Sequence, residues 1–110
     1  MNDLVTEIGT KSRMLDVAIT ELKKRGQKYA EAEKAYRIAL ARCILDEREK
    51  GTPVTIISDI CRGSTQIAGL RFERDCAEVV YKSAMEAINS MKLQIRLMDS
   101  QLGREWGAAK

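Results

Sequence analysis

Apolar residues that recur in alternating steps of four and three leave a chain few choices besides a long amphipathic helix with one buried seam. Met1, Val5, Ile8, Ser12, Leu15, Ile19, Leu22, Gly26, Tyr29, Glu33, Tyr36, Leu40 and Cys43 follow that spacing, and ten of these thirteen are apolar with Cys counted. The second half repeats it at Leu70, Arg74, Ala77, Tyr81, Ala84, Ile88, Met91, Ile95, Met98, Leu102 and Glu105. The fold class expected is therefore all-α: a long, coiled-coil-like antiparallel helical hairpin in a single domain over residues 1–110. Arm one covers about 3–50, a corner 51–64, and arm two about 65–106.

Local signals agree with those limits. Asn2 or Asp3 can cap the first helix by accepting backbone N–H groups. Lys50-Gly51-Thr52-Pro53 stops it, because Gly accepts the left-handed exit and Pro cannot continue the ladder. Gly9 and Gly26 each cost up to about 1 kcal/mol inside a helix. Ser64 is a natural N-cap for arm two, which should fray at Gly107. Acidic and basic residues stand in the favourable i,i+4 order at Glu7/Lys11, Glu21/Arg25, Glu33/Arg37, Asp46/Lys50 and Glu78/Lys82, the pattern of a solvated helix surface. In the corner, Thr55 is expected to cap a short helix through Arg62, with Ile56, Ile57 and Ile60 folding over the hairpin end as an apolar plug.

Two such arms return antiparallel. Pairing positions whose numbers add to 117 aligns the seams, with Tyr36 facing Tyr81, Leu22 facing Ile95, Gly26 facing Met91 and Cys43 facing Arg74. Glu33, a charge in the seam, is expected to rotate outward into water. A second apolar set lies off the seams: Met14, Ala18, Ala32, Ala35, Ala39 and Ile44 in arm one, and Phe72, Cys76, Val79, Val80, Met85, Ala87, Leu93 and Leu97 in arm two. One hairpin cannot bury both sets. A homo-oligomer is expected, most simply a two-fold dimer forming a helix bundle, with Val79, Val80, Met85, Leu93 and Leu97 as its interface.

Composition narrows the function classes. With 45% hydrophobic, 32% charged and 5% aromatic residues and a single Pro, the chain does not read as a β-sandwich. No apolar run is long enough to span a membrane and no leader pattern opens the sequence, so a soluble, cytoplasmic protein without a membrane partner is expected. The net charge of +3 is too small to demand nucleic acid. Cys43, Cys61 and Cys76 form no CxxC pair and the chain has no His, so free thiols are expected, and neither zinc ligation nor a Cys–His nucleophile. No phosphate loop, nucleophile elbow or metal motif is present. No catalytic residue, cofactor or metal ligand is assigned, and the chain is read as a non-enzyme.

Two charged constellations remain. Arg74 occupies a seam position with Arg71 and Asp75 beside it and Asp46 and Glu47 on the facing helix end. They read as an interhelix ion cluster that fixes register, or as an anion pocket beside the corner. Lys23, Lys24, Arg25 and Lys28 form the most basic stretch. They wrap around a helix with no interleaved aromatic residue to stack on bases, and so read first as a solvated surface and second as a nucleic-acid contact. Residues 55–63 have only the outline of the first part of a helix-turn-helix, with no recognition helix of ordinary length behind it.

Pro53-Val54-Thr55, Arg62-Gly63, Leu70-Arg71-Phe72-Glu73-Arg74-Asp75 and the tail Ser100-Gln101-Leu102-Gly103-Arg104-Glu105-Trp106 resemble a group of uncharacterised small helical proteins of phages and prophages of Gram-positive bacteria. The resemblance covers about residues 30–106. It implies a phage-encoded cytoplasmic accessory in replication, recombination or host takeover, and no catalytic activity. Secreted ESX-type hairpins have similar length, but their Trp-x-Gly lies in the turn whereas Trp106 lies near the C-terminal end, so secretion is not carried over. The function expected is a non-enzymatic, oligomeric protein–protein interaction module. The alternative is an accessory nucleic-acid-binding protein, and an inhibitor of a host or defence protein would share the signature of the first.

Overall fold

A computed structural model describes the backbone of residues 2–109 and the side chains of residues 3–107. The chain is an all-α hairpin: α1 spans Asn2–Glu49, α2 spans Val54–Gly63 and α3 spans Thr65–Ala109, with no strand among the described residues. The seam periodicity reports burial faithfully. In α1 the seam residues from Ile8 to Cys43 are all at least half-buried, whereas Val5 is exposed. In α3 the same holds from Leu70 to Leu102, with Glu105 exposed. Met1, the first member of the α1 series, and the side chain of Asn2 lie outside the described residues. Asp3 stands in the first turn of α1, where its charge suits the helix N-terminus.

The exit from α1 follows from Gly51, whose φ of +84° puts it in the left-handed region. Its N–H donates to Arg48 O and that of Thr52 to Glu47 O, at 3.0 and 3.1 Å, so two otherwise orphaned carbonyls are satisfied. Pro53, with φ −56° and ψ 131°, is the N-cap residue of α2 and makes no side-chain cap. Thr55 is thus inside the first turn rather than the expected cap, because the fixed φ of Pro53 already sets the entry. Ser64 is the joint between α2 and α3. Its Oγ accepts from Ile67 N at 3.3 Å and donates to Cys61 O at 2.9 Å, capping α3 as expected. Arm two continues helically past Trp106 and Gly107 to Ala109, so Gly107 does not end it.

The corner differs from the expected plug. Ile57 and Cys61 are buried, while Ile56 and Ile60 are exposed. Residues 57 and 61 are one turn apart, so α2 presents a single stripe. Ile57 lines a recess with Val54, Ser58, Ile44 and Arg48, so α2 lies back along the last turns of α1 instead of across its tip. Gln66, at the start of α3, consequently shares a groove with Ala39, Cys43 and Glu47, below the end of α1.

The chain forms two compact units. One is Arg25–Tyr81, with the corner at its heart. Of the six buried apolar residues among those described, five, Tyr36, Ile57, Cys61, Ile67 and Ala77, lie in it. The register here is not the expected one. The Tyr29 and Tyr81 rings lie 6.0 Å apart, and the Arg74 guanidinium lies 4.7 Å from the centre of the Tyr36 ring. Both pairs add to 110 instead of 117, so Tyr36 does not face Tyr81 and Cys43 does not face Arg74. The slip is one heptad. Seven residues restore the phase of both seams, so periodicity alone cannot distinguish the two alignments. The path of α2 decides between them, since it starts α3 below the tip of α1.

The other unit draws on the chain up to Lys24 and from Lys82 onward, with Ile88 as its buried residue among those described. In it Met91 lines a shallow groove with Met14, Val17 and Ala18. That places Ile95 about a heptad away from the level of Leu22, so their expected pairing is not made either.

Candidate functional site

Arg74 reaches its partners because its seam position on α3 carries a long side chain over the facing helix. The guanidinium lies on the Tyr36 ring and donates from Nη1 to Glu33 Oε2 at 3.2 Å, and from Nε and Nη2 to Asp75 Oδ1 at 3.0 and 2.8 Å. Arg71 stands 4.0 Å from the other Asp75 oxygen. Glu33 also accepts from Arg37. Of the five residues expected to cluster, Arg71, Arg74 and Asp75 therefore come together, and Glu33 takes the place foreseen for Asp46 and Glu47. Glu33 turns inward, against expectation, because Arg74 supplies a charge partner that makes its partial burial tolerable.

Asp46 and Glu47 serve the corner instead. Glu47 accepts from Thr52 Oγ1 at 2.7 Å and from Lys50 Nζ at 3.4 Å, while the Asp46 carbonyl accepts from Lys50 N. Lys50 thus pairs with Glu47 three residues back, not with Asp46. Lys24 likewise pairs with Glu21, the residue expected to hold Arg25.

One turn along the seam, the Tyr29 hydroxyl donates to Glu78 Oε2 at 2.9 Å. The hydrogen bond to Glu78 raises the Tyr29 pKa above its usual 10.0, and burial adds to the rise. Hydrogen bonds from Arg37 and Arg74 hold Glu33 below the usual carboxyl value of 4.5 against the opposing effect of burial. Glu47 is lowered by Thr52 and Lys50. Burial, helped by a hydrogen bond with the Cys43 side chain, pushes the Cys61 thiol from 9.0 up to about 11. Cys43, Cys61 and Cys76 are free thiols.

These shifts contribute to the pH dependence of the fold on both sides of neutrality. Glu33 and Glu47 have lowered native pKa values, so their contribution is present above about 4.5 and is lost as pH falls through the native values. Cys61 and Tyr29 have raised native values, so theirs is present below the unfolded values of 9.0 and 10.0 and is lost as pH rises through the native ones. Thermal melts followed by circular dichroism should give a plateau from about pH 5 to 8 with a fall on each side. In Cys61→Ala the fall between pH 9 and 11 should be shallower, leaving the part that belongs to Tyr29.

The basic stretch and the expected interface residues are exposed, whereas Ala18, Ala32, Ala39 and Ile44 of the off-seam set are half-buried. Lys23, Lys24, Arg25 and Lys28 all face solvent. So do Val79, Val80, Met85, Leu93 and Leu97 on α3, Val79 at 63% and Leu97 at 61%. Phe72 is the most exposed aromatic side chain described, at 70%. It borders an open groove of about 470 Å³ with Ala32, Cys76, Ala77 and Val80, flanked by Arg25, Lys28 and Glu73. That groove was not foreseen. Its signal was the off-seam apolar set, which holds Ala32, Phe72, Cys76 and Val80. Among the described residues, no group of Cys, Asp or Glu could hold a metal ion, and no helix is long and apolar enough to cross a membrane. Comparison with protein-family models, curated proteins and solved structures finds no match.

Proposed function

We propose that this chain is a non-enzymatic helical-hairpin module that self-associates and works through protein–protein contacts. The observation that carries the reading is that large apolar side chains are left in solvent on α3: Phe72, Val79, Val80, Met85, Leu93 and Leu97. Burying one aliphatic side chain of this size contributes about 1.5–3 kcal/mol, so several per copy can offset the entropy lost on association. The resemblance to phage and prophage proteins supports a place among the accessory factors that phages make in the host cytoplasm. Sedimentation equilibrium tests the reading: a dimer or higher assembly should form at tens of micromolar, roughly the range expected of such an interface. Val80→Lys together with Leu97→Glu should dissociate it while leaving the helical circular-dichroism signal intact. A wild-type chain that stays monomeric would overturn self-association.

A second reading is accessory nucleic-acid binding. It is favoured by Lys23, Arg25 and Lys28, exposed cations that make no ion pair among the described residues. Binding to short single- and double-stranded DNA should then weaken steeply with salt. No shift at low salt would dismiss it.

A further inference from the structure

The cysteines stand too far apart in sequence to suggest a pair, yet the fold brings two of them together. Cys61 belongs to the buried stripe of α2, which lies along the last turns of α1, where Ile57 shares a recess with Ile44 and Arg48. One turn further along α2 the facing residue of α1 is Cys43, and the two thiols are hydrogen-bonded. The partners are unequal. Cys61 is shut off from solvent, at 0% exposure. Cys43 is half-buried and borders an open groove of about 300 Å³ with Ala39, Arg42, Glu47 and Gln66. Burial also pushes the Cys61 thiol up to about 11, so it keeps its proton. A small reagent that enters the groove therefore meets Cys43 first, with a second thiol directly behind it. Cys76 cannot stand in for either. In the register set by Tyr36 and Arg74 it lies level with Lys34 of α1, ~14 Å along the axis from Cys43 at about 1.5 Å per residue. A disulfide needs Cα atoms within about 7 Å.

We propose that Cys43 and Cys61 form a redox-sensitive clasp: a hydroperoxide oxidises Cys43, and Cys61 then closes a reversible disulfide that ties α2 to α1. In the first step the Cys43 thiolate attacks the outer oxygen of the peroxide. The O–O bond breaks, an S–O bond forms, and the other oxygen leaves with the thiol's proton as alcohol or water, giving the Cys43 sulfenic acid. In the second step the Cys61 sulfur attacks the Cys43 sulfur. The S–S bond forms, the S–O bond breaks, and hydroxide leaves as water with the proton that Cys61 gives up. Two thiols lose two electrons in all, and one peroxide gains them. Attack by an external thiolate on the disulfide reverses the change. Only Ile57 and Cys61 are buried on α2, so a covalent tie at one of them holds the short helix at its main contact. Closing the chain between 43 and 61 also restricts the unfolded corner. The clasp does not involve the exposed face of α3, so it stands apart from self-association.

The test uses the full chain, with hydrogen peroxide as the probe. Treated protein, alkylated and digested with trypsin, should yield the Cys43 peptide joined to the Cys61 peptide, and dithiothreitol should separate them. Cys76→Ser, which removes the exposed thiol, should give the same cross-link. In denaturing urea the preference should disappear, since the shorter loop between Cys61 and Cys76 then closes at least as readily. In Cys61→Ala, dimedone added with the peroxide should label Cys43, where the sulfenic acid is left unresolved. The cross-linked chain should melt about 5–15 °C above the reduced one, and peroxide should give Cys43→Ser no such rise. Three results would each overturn the clasp: Cys43 and Cys61 both still alkylated after peroxide has oxidised Cys76, the same pairing in urea as in the folded chain, or a cross-linked chain that melts no higher than the reduced one.

Discussion

Replacing Ile67 by Ala should cost about 2–5 kcal/mol, the loss measured when a fully buried branched side chain leaves a cavity that cannot collapse. Ile67 is 2% exposed and, with Cys61, is one of the two largest fully enclosed side chains described. It lies where α2, α1 and α3 meet: Ser64 caps its backbone N–H, and the neighbouring Gln66 already borders α1. Few other residues are buried, so the corner cannot redistribute the loss. Domains of this size are stable by only about 5–15 kcal/mol. Urea denaturation should show the midpoint falling sharply, with the transition broadened if the arms outlast the corner. Val54→Ala is the control, because Val54 is 75% exposed on α2 in the same corner and its truncation should stay within about 0.5 kcal/mol. Equal losses at the two positions would mean that the corner is not the core.

What was legible in the sequence follows from how each feature is encoded. The seams are encoded locally, since a helical residue's face is fixed by its neighbours three and four positions away. Leu15 through Cys43 and Leu70 through Leu102 consequently face inward as read. Gly51 and Ser64 are also local signals, and both act as expected. Register is not local. It depends on where α3 begins relative to α1, and that depends on whether α2 crosses the tip or lies back along it. Ile56, Ile57 and Ile60 are consistent with either path; only the burial of Ile57 with Cys61 tells them apart. The ion cluster was half legible for the same reason. Arg74 is visibly out of place in an apolar seam, but choosing Glu33 over Asp46 and Glu47 as its partner requires the correct alignment. With that alignment, the one acidic seam residue of α1 faces the one basic seam residue of α3.

Gly26→Leu should destabilise the hairpin by about 1–3 kcal/mol, the range for forcing extra atoms into a packed contact. The usual expectation for a glycine inside a helix is the opposite, because a residue with better helix propensity gains up to about 1 kcal/mol. Gly26 departs from it because a Cβ there would lie 3.0 Å from Cε1 of Tyr81. The Tyr81 ring has little freedom to withdraw, since it packs 6.0 Å from Tyr29, whose hydroxyl is tied to Glu78. Gly69 provides the contrast: it lies within α3 with nothing inside 4 Å of its added Cβ, so Gly69→Ala should raise stability by about 0.5–1 kcal/mol. A double-mutant cycle makes the assignment specific. Tyr81→Ala removes the obstructing ring, so Gly26→Leu should cost at least about 1 kcal/mol less in that background than in the wild type. In the alignment the seams would equally allow, Gly26 faces Met91 and Tyr81 faces Tyr36, and the two substitutions would add without coupling. The cycle therefore reads the register in solution from one glycine.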